Sequence, residues 1–171
     1  IALDSRREAL EEAMRARLLE NCSVCDVDIE TMSQTLLDSE PYVDVLPAEV
    51  EKLRQRWSAS ANELASILTT ALESSNIGRT SAALAKFSGT EDNALPPDCV
   101  LLRSDLMKHH HSLIRRAKAL LEALVSSDDL ESINAVIQQL DGVAELAREL
   151  EALQAWRWRL QIALRIAAAA L

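Results

Sequence analysis

A chain of 171 residues is long enough for one domain with a real core. Hydrophobic residues make up 49% of it but aromatics only 3%, with three Gly and four Pro, so its apolar content is mostly Ala and Leu. Those favour helix, whereas sheet would need β-branched runs and turn residues that are scarce here. A net charge of −9 argues against general nucleic-acid binding, which needs a basic face.

Residues 3–20 carry Leu3, Leu10, Met14 and Leu18 on one side and mixed charges on the other, an amphipathic helix. Asp4 or Ser5 is the expected N-cap, with Glu8 placed to complete a capping box with Ser5. "NCSVCDVD" breaks the pattern, and a second helix resumes over 28–38 with Ile29, Met32, Leu36 and Leu37. "DSEPYVDVLP" reads as loop, because Pro41 and Pro47 lack an amide hydrogen and restrict their predecessors.

Pro47 suits the first turn of a long third helix bearing Val50, Leu53, Trp57, Leu64, Ile67 or Leu68, and Ala71. "ESSN" ends it. A short helix follows over about 77–87, with Gly89 as its C-cap glycine. "GTEDNALPP", 89–97, is the clearest linker. From Asp98 a long helix runs to about Ser126 with Leu102, Leu106, Leu113, Ala117, Leu120 and Leu124 as its stripe, widened by Met107, Ile114 and Leu121. "SSDD" supplies turn and N-cap chemistry, a short helix continues to Leu140, and "DG" closes it at Gly142. The last helix carries Val143, Leu146, Leu150, Leu153, Leu160 and Leu164, with Arg157 where the heptad expects an apolar side chain.

The pattern repeats. Leu72 to Leu124 is 52 residues, and both Ile77 to Leu130 and Gly89 to Gly142 are 53. A blurred earlier copy places Leu19 53 residues before Leu72. Periods of this size mark stacked helical units that bury their apolar faces on one another. The expected fold class is all-α, with about seven helices of alternating long and short length. The arrangement is either an elongated helical-hairpin repeat, α-solenoid-like, or an antiparallel helical bundle or coiled coil. Residues 1–171 form one helical segment, with repeat units 3–46, 47–96 and 97–142 and a terminal helix 143–171. Leu72, Ile77 and Leu84 should then be buried at positions equivalent to Leu124, Leu130 and Ile137. Truncating Leu113 or Leu120 should cost a buried-leucine penalty.

Chemistry is sparse. "CSVC", Cys22–Cys25, has the spacing of half a zinc site, and Cys99 with the run His109–His110–His111 offers further ligands. No second CxxC or HxxxH accompanies it, so the thiols read as structural and no metal is expected. Three consecutive histidines on a helix point about 100° apart. One should lie near the apolar stripe and another near solvent, giving a polar patch at a helix–helix contact. The carboxylate runs, such as Glu8, Glu11 and Glu12, read as solvated faces. "DVDIETMSQTLL" lacks the glycine and the closing Glu of a calcium loop. With no glycine-rich phosphate loop and no GxSxG, the expectation is a protein that is not an enzyme and takes no cofactor.

Charge is uneven. Residues 1–60 hold seven Lys/Arg and thirteen Asp/Glu, a net of −6, while residues 154–171 hold three Arg and no acid. "LQAWRWRLQIALR", 153–165, is therefore the most distinctive segment. Trp156, Arg157, Trp158, Arg159, Leu160 and Arg165 are its candidate partner-binding residues. The two tryptophans lie about 200° apart on a helix, so one can pack inward while the other meets a partner. A basic helix with Trp resembles calmodulin targets. "LQIALR" also resembles the first half of an IQ motif, with Leu160, Gln161 and Arg165 in place but Ile166 at the usual glycine and Ala170 at the second basic position. That resemblance implies an EF-hand partner. The leading expectation is a non-catalytic protein–protein interaction or scaffold segment of a larger protein. A calmodulin/EF-hand-binding regulatory segment and a helical region of a large enzyme are the alternatives. Three cysteines, no secretory segment and no apolar run of 18 residues point to a cytoplasmic, cytoskeleton-associated setting, without a membrane span.

Overall fold

The computed structural model describes residues 2–23 and 28–169. Among these there is no strand, and the chain forms seven α-helices: α1 (Ala2–Ser23), α2 (Ile29–Ser39), α3 (Pro47–Leu72), α4 (Ile77–Ala85), α5 (Pro97–Leu124), α6 (Leu130–Leu140) and α7 (Ala147–Ala169). Both polar interruptions, "ESSN" and "SSDD", lie outside the helices. Asp28 caps α2, its carboxylate accepting from the Thr31 amide at 2.8 Å. Asp129 caps α6 by accepting from the Glu131 and Ser132 amides, each at 3.1 Å. These bonds satisfy N–H groups that a helix start leaves without partners. Gly89 and Gly142 both adopt positive φ, +94° and +78°, where a side chain would strain the backbone.

Two boundaries depart from expectation. The first helix already runs at Ala2, which puts Asp4 and Ser5 inside its first turn rather than at its cap; Ala and Leu extend a helix readily. The last α-helix begins at Ala147 rather than Val143. Val143 is extended after the left-handed Gly142, and a single 3-10 turn, Ala144–Leu146, intervenes.

The chain divides into two compact units, Ile1–Thr70 with Ala85–Ser104, and Ala71–Leu84 with Asp105–Leu171. In the first, α2 packs on α1 and on the 3-10 turn Asp92–Ala94. Leu18, Met32, Leu46, Val50, Leu53 and Leu68 are fully buried. A polar tie runs through this core, Asn21 Nδ2 donating to Thr35 Oγ1 at 2.7 Å and Thr35 Oγ1 to the Thr31 carbonyl at 2.8 Å. Cys99 is buried too, its Sγ 3.5 Å from the Ala61 carbonyl. Burial, with the neighbouring Asp98 charge, pushes its thiol pKa up.

In the second unit Leu113, Leu121, Ile133, Ile137, Leu146 and Leu153 centre one apolar cluster, reached by α4 through Ile77. Here the expected burial set needs correction. Ile77 and Ile137 are buried, but Leu72, Leu84, Leu124 and Leu130 are only half-buried. Leu120 is 47% exposed while its neighbour Leu121 is wholly buried. The buried stripe of α5, through Leu106, His110, Leu113, Ala117 and Leu121, is one position ahead of Leu120, which the 100° step per residue swings outward.

Candidate functional site

The basic segment of α7 is positioned by its first turns. Leu150 and Leu153 are buried in the second unit's core, and α6 lies alongside. Trp156 continues that packed face. Half-buried against the cluster, it donates Nε1–H to the Ser127 carbonyl at 2.9 Å, tying α7 to the turn that precedes α6. Arg157 is half-buried beside it. Its Nη1 donates to Asn134 Oδ1 at 3.3 Å, while its Nε is buried without an acceptor among the described residues. This explains an arginine where the heptad expects an apolar residue: α6 presents an amide there. Leu160 packs partly against the same cluster.

The other candidates face away. Trp158 is 64% exposed, and Arg159 and Arg165 are exposed. From Ala163 to Ala169 every residue is exposed, including Leu164 and Ile166. The structure thus separates the six sequence candidates into a packed set, Trp156, Arg157 and Leu160, and a free set, Trp158, Arg159 and Arg165. Trp158, Ile162 and Ile166 fall at i, i+4 and i+8, one stripe that drifts about 40° per step; Trp158 and Ile166 are exposed and Ile162 between them is half-buried. Arg159 and Arg165 flank it.

The histidine run spreads as helical geometry requires. His111 is exposed, His110 is buried, and His109 Nε2 lies 2.9 Å from the Ser74 carbonyl. His110 has two partners that sequence reading missed. Its Nδ1 is 2.7 Å from Thr80 Oγ1, and its Nε2 is 3.4 Å from Glu145 Oε1. Thr80 Oγ1 donates to the Ile77 carbonyl at 2.9 Å, and the imidazole tautomer sets the direction of its contact with His110. The order hydroxyl, imidazole, carboxylate resembles a hydrolytic triad. Its hydroxyl, however, is wholly buried and its proton is held by the main chain, so the cluster ties α4, α5 and the turn before α7 together. Partners 30 and 35 residues away leave no local signal in the sequence.

Cys22 is half-buried and its carbonyl accepts from Arg56 Nη1 at 2.6 Å; Cys25, the other half of the CxxC, lies outside the described residues. Among the described residues no three His, Cys, Asp or Glu side chains converge as a metal site would need, and no helix is long and apolar enough to cross a membrane. Compared with family models, curated proteins and solved structures, the chain matches none.

Proposed function

We propose that this chain is a non-catalytic, intracellular protein–protein interaction segment whose docking element is the outer stripe of α7. The observation carrying this reading is the contrast along one helix. Trp156 packs half-buried against the core, yet Trp158 and Ile166 are 64% and 66% exposed, with half-buried Ile162 between them. A Trp–Ile–Ile stripe at helical spacing, flanked by arginines and free of acid, has the pattern of a helix that lies in a partner's groove. Large apolar side chains clustered at the surface mark interaction sites.

The segment that presents this stripe is a helical-hairpin repeat on our reading, and its support is the register of burial. Leu53 and Leu106, and Leu68 and Leu121, are wholly buried pairs 53 residues apart. Thr80 and Ile133, and Phe87 and Leu140, are buried at the same spacing. Gly89 and Gly142, the two positive-φ glycines, share it as well. Between α2 and α4 the spacing is 48, pairing Ile29 with Ile77 and Met32 with Thr80.

The test is a set of three substitutions. Trp158→Ala and Ile166→Ala should leave the thermal midpoint of the chain unchanged within about 2 °C, while Trp156→Ala lowers it clearly. Equal losses from Trp156→Ala and Trp158→Ala would mean that the stripe serves the fold, and the reading fails. A second reading, an EF-hand-binding regulatory segment, draws on the same basic, Trp-bearing stripe. It requires calcium-loaded calmodulin to bind the chain at micromolar affinity and lose that binding on Trp158→Ala.

A further inference from the structure

One cleft occurs twice in this chain, once within each unit. In the first unit it lies between the start of α2, the middle of α3 and the turn after α4. In the second it lies between the start of α4, the middle of α5 and the end of α6. Every residue lining the first has a counterpart lining the second. Those on α3 and after α4 recur 53 residues later, as Glu63 does in Arg116 and Phe87 in Leu140. The two at the start of α2 recur 48 residues later, as Ile29 does in Ile77. The cleft thus keeps the register on which the repeat reading rests.

What differs is the chemistry. The second cleft has an apolar floor, where Ile77, Leu113, Ala117 and Leu140 are buried. Ala117 stands where the first cleft has the larger Leu64, and Val143 where it has Thr90. The first cleft carries Asp28, Glu63 and Lys86; the second has Asn76, Arg116 and Gln139 in their places. Arg116 is therefore the one charged side chain lining the second cleft. It is exposed and has no hydrogen-bond or ion-pair partner among the described residues. Leu120, one helical turn further on, lines the same cleft and is 47% exposed. The cleft holds about 200 Å³. That exceeds the roughly 150 Å³ that takes a benzene ring and falls short of the roughly 300 Å³ at which small-molecule pockets begin. It suits one large apolar side chain.

We propose that the second cleft docks a peptide segment of a partner protein. One large apolar side chain of the peptide sits against Ile77 and Leu140, and a neighbouring carboxylate pairs with Arg116. A guanidinium can hold a carboxylate through two parallel bonds, and an unpaired Arg116 gives up no existing bond to do so. The chain's net charge of −9 repels an acidic peptide elsewhere on the surface, so Arg116 selects the place as well as the peptide. The first cleft, with two carboxylates to one ammonium, offers such a peptide no net attraction. The proposal stands apart from the α7 stripe, because among the described residues α7 contributes nothing to this lining.

Methyl NMR of the 171-residue chain tests this. The probes are short capped peptides with Leu or Phe between Asp and Glu. Their controls are the same peptides with Ala at the centre, and the same peptides with Lys in place of each acid. The Leu and Phe peptides should shift the methyl signals of Ile77, Leu113, Leu120 and Val143 and leave those of Ile29 and Ile67 unmoved. They should bind about tenfold tighter than either control, the size of effect expected for losing one buried anchor or one charge pair. Arg116→Glu should weaken the acidic peptides by a similar factor; the position is exposed, and circular dichroism checks that the variant folds. Trp158→Ala should leave this binding unchanged, so the present proposal and the α7 reading fail separately. Absence of binding by both acidic peptides at millimolar concentration overturns the proposal. So do shifts centred on Ile29 and Ile67, equal binding of the Ala or Lys peptides, or a folded Arg116→Glu variant that binds like wild type.

Discussion

Trp156 and Trp158 stand two residues apart on one helix and meet opposite surroundings. The first is held by the core and by the Ser127 carbonyl; the second is 64% exposed. The same division runs along α7 as a whole. Leu150 and Leu153 are buried on α6 and its neighbours, whereas residues 163–169 are exposed on every side. Composition does not separate the two halves, since the exposed end is the more apolar one. The difference lies in reach. Helix α6 is eleven residues long, about 16 Å at 1.5 Å per residue, and α7 outruns it.

The comparison breaks most easily at Leu153. Leu153→Ala should cost about 2–5 kcal/mol in denaturant unfolding, the range for truncating a buried leucine, and Leu121→Ala should match it. Losses below about 1 kcal/mol at both positions would mean that the packed half is not packed. Next is Trp156→Ala, for which about 2–3 kcal/mol is expected, because the side chain is only half-buried but loses a hydrogen bond as well as contact area.

Acid should act on the packed half through its carboxylates. Hydrogen bonds from the Ser132 side chain and amide hold Asp129 below the usual carboxylate range, and the Lys118 ammonium does the same for Glu149 at 2.9 Å. A carboxylate whose pKa is depressed by folding contributes stability that is full above its unfolded value and fades as pH falls through its folded one. The thermal midpoint should therefore hold down to about pH 4 and drop below it, and Asp129→Asn should flatten that drop. A midpoint independent of pH from 7 to 3 contradicts the capping role.

The smallest effects sharpen the contrast from the other side. Leu120→Ala and Trp158→Ala should each change stability by no more than about 0.5 kcal/mol, despite replacing large apolar residues. For Leu120 this reverses what periodicity suggests, and the pair Leu120→Ala and Leu121→Ala measures that reversal directly.

Much of the local structure was legible. Pro47, Asp129, Gly89 and Gly142 punctuate helices through bonds and dihedrals that span four residues or fewer, so their effects are written beside them. Helix number and both polar turns follow from the same short-range rules. The register of burial was blurred by one position, because Leu120, Leu121 and Leu124 are all leucine and only the neighbouring helices choose among them. The site divided in the same way. Sequence alone determined that 153–165 is basic, aromatic and helical, and that two tryptophans 200° apart cannot share a groove. Tertiary structure decided which of them packs inward: Ser127 lies 29 residues before Trp156, and no local rule reaches that far. The partners of His110 at Thr80 and Glu145 were settled likewise, since contacts across 30 and 35 residues exist only once α4, α5 and the turn before α7 have packed.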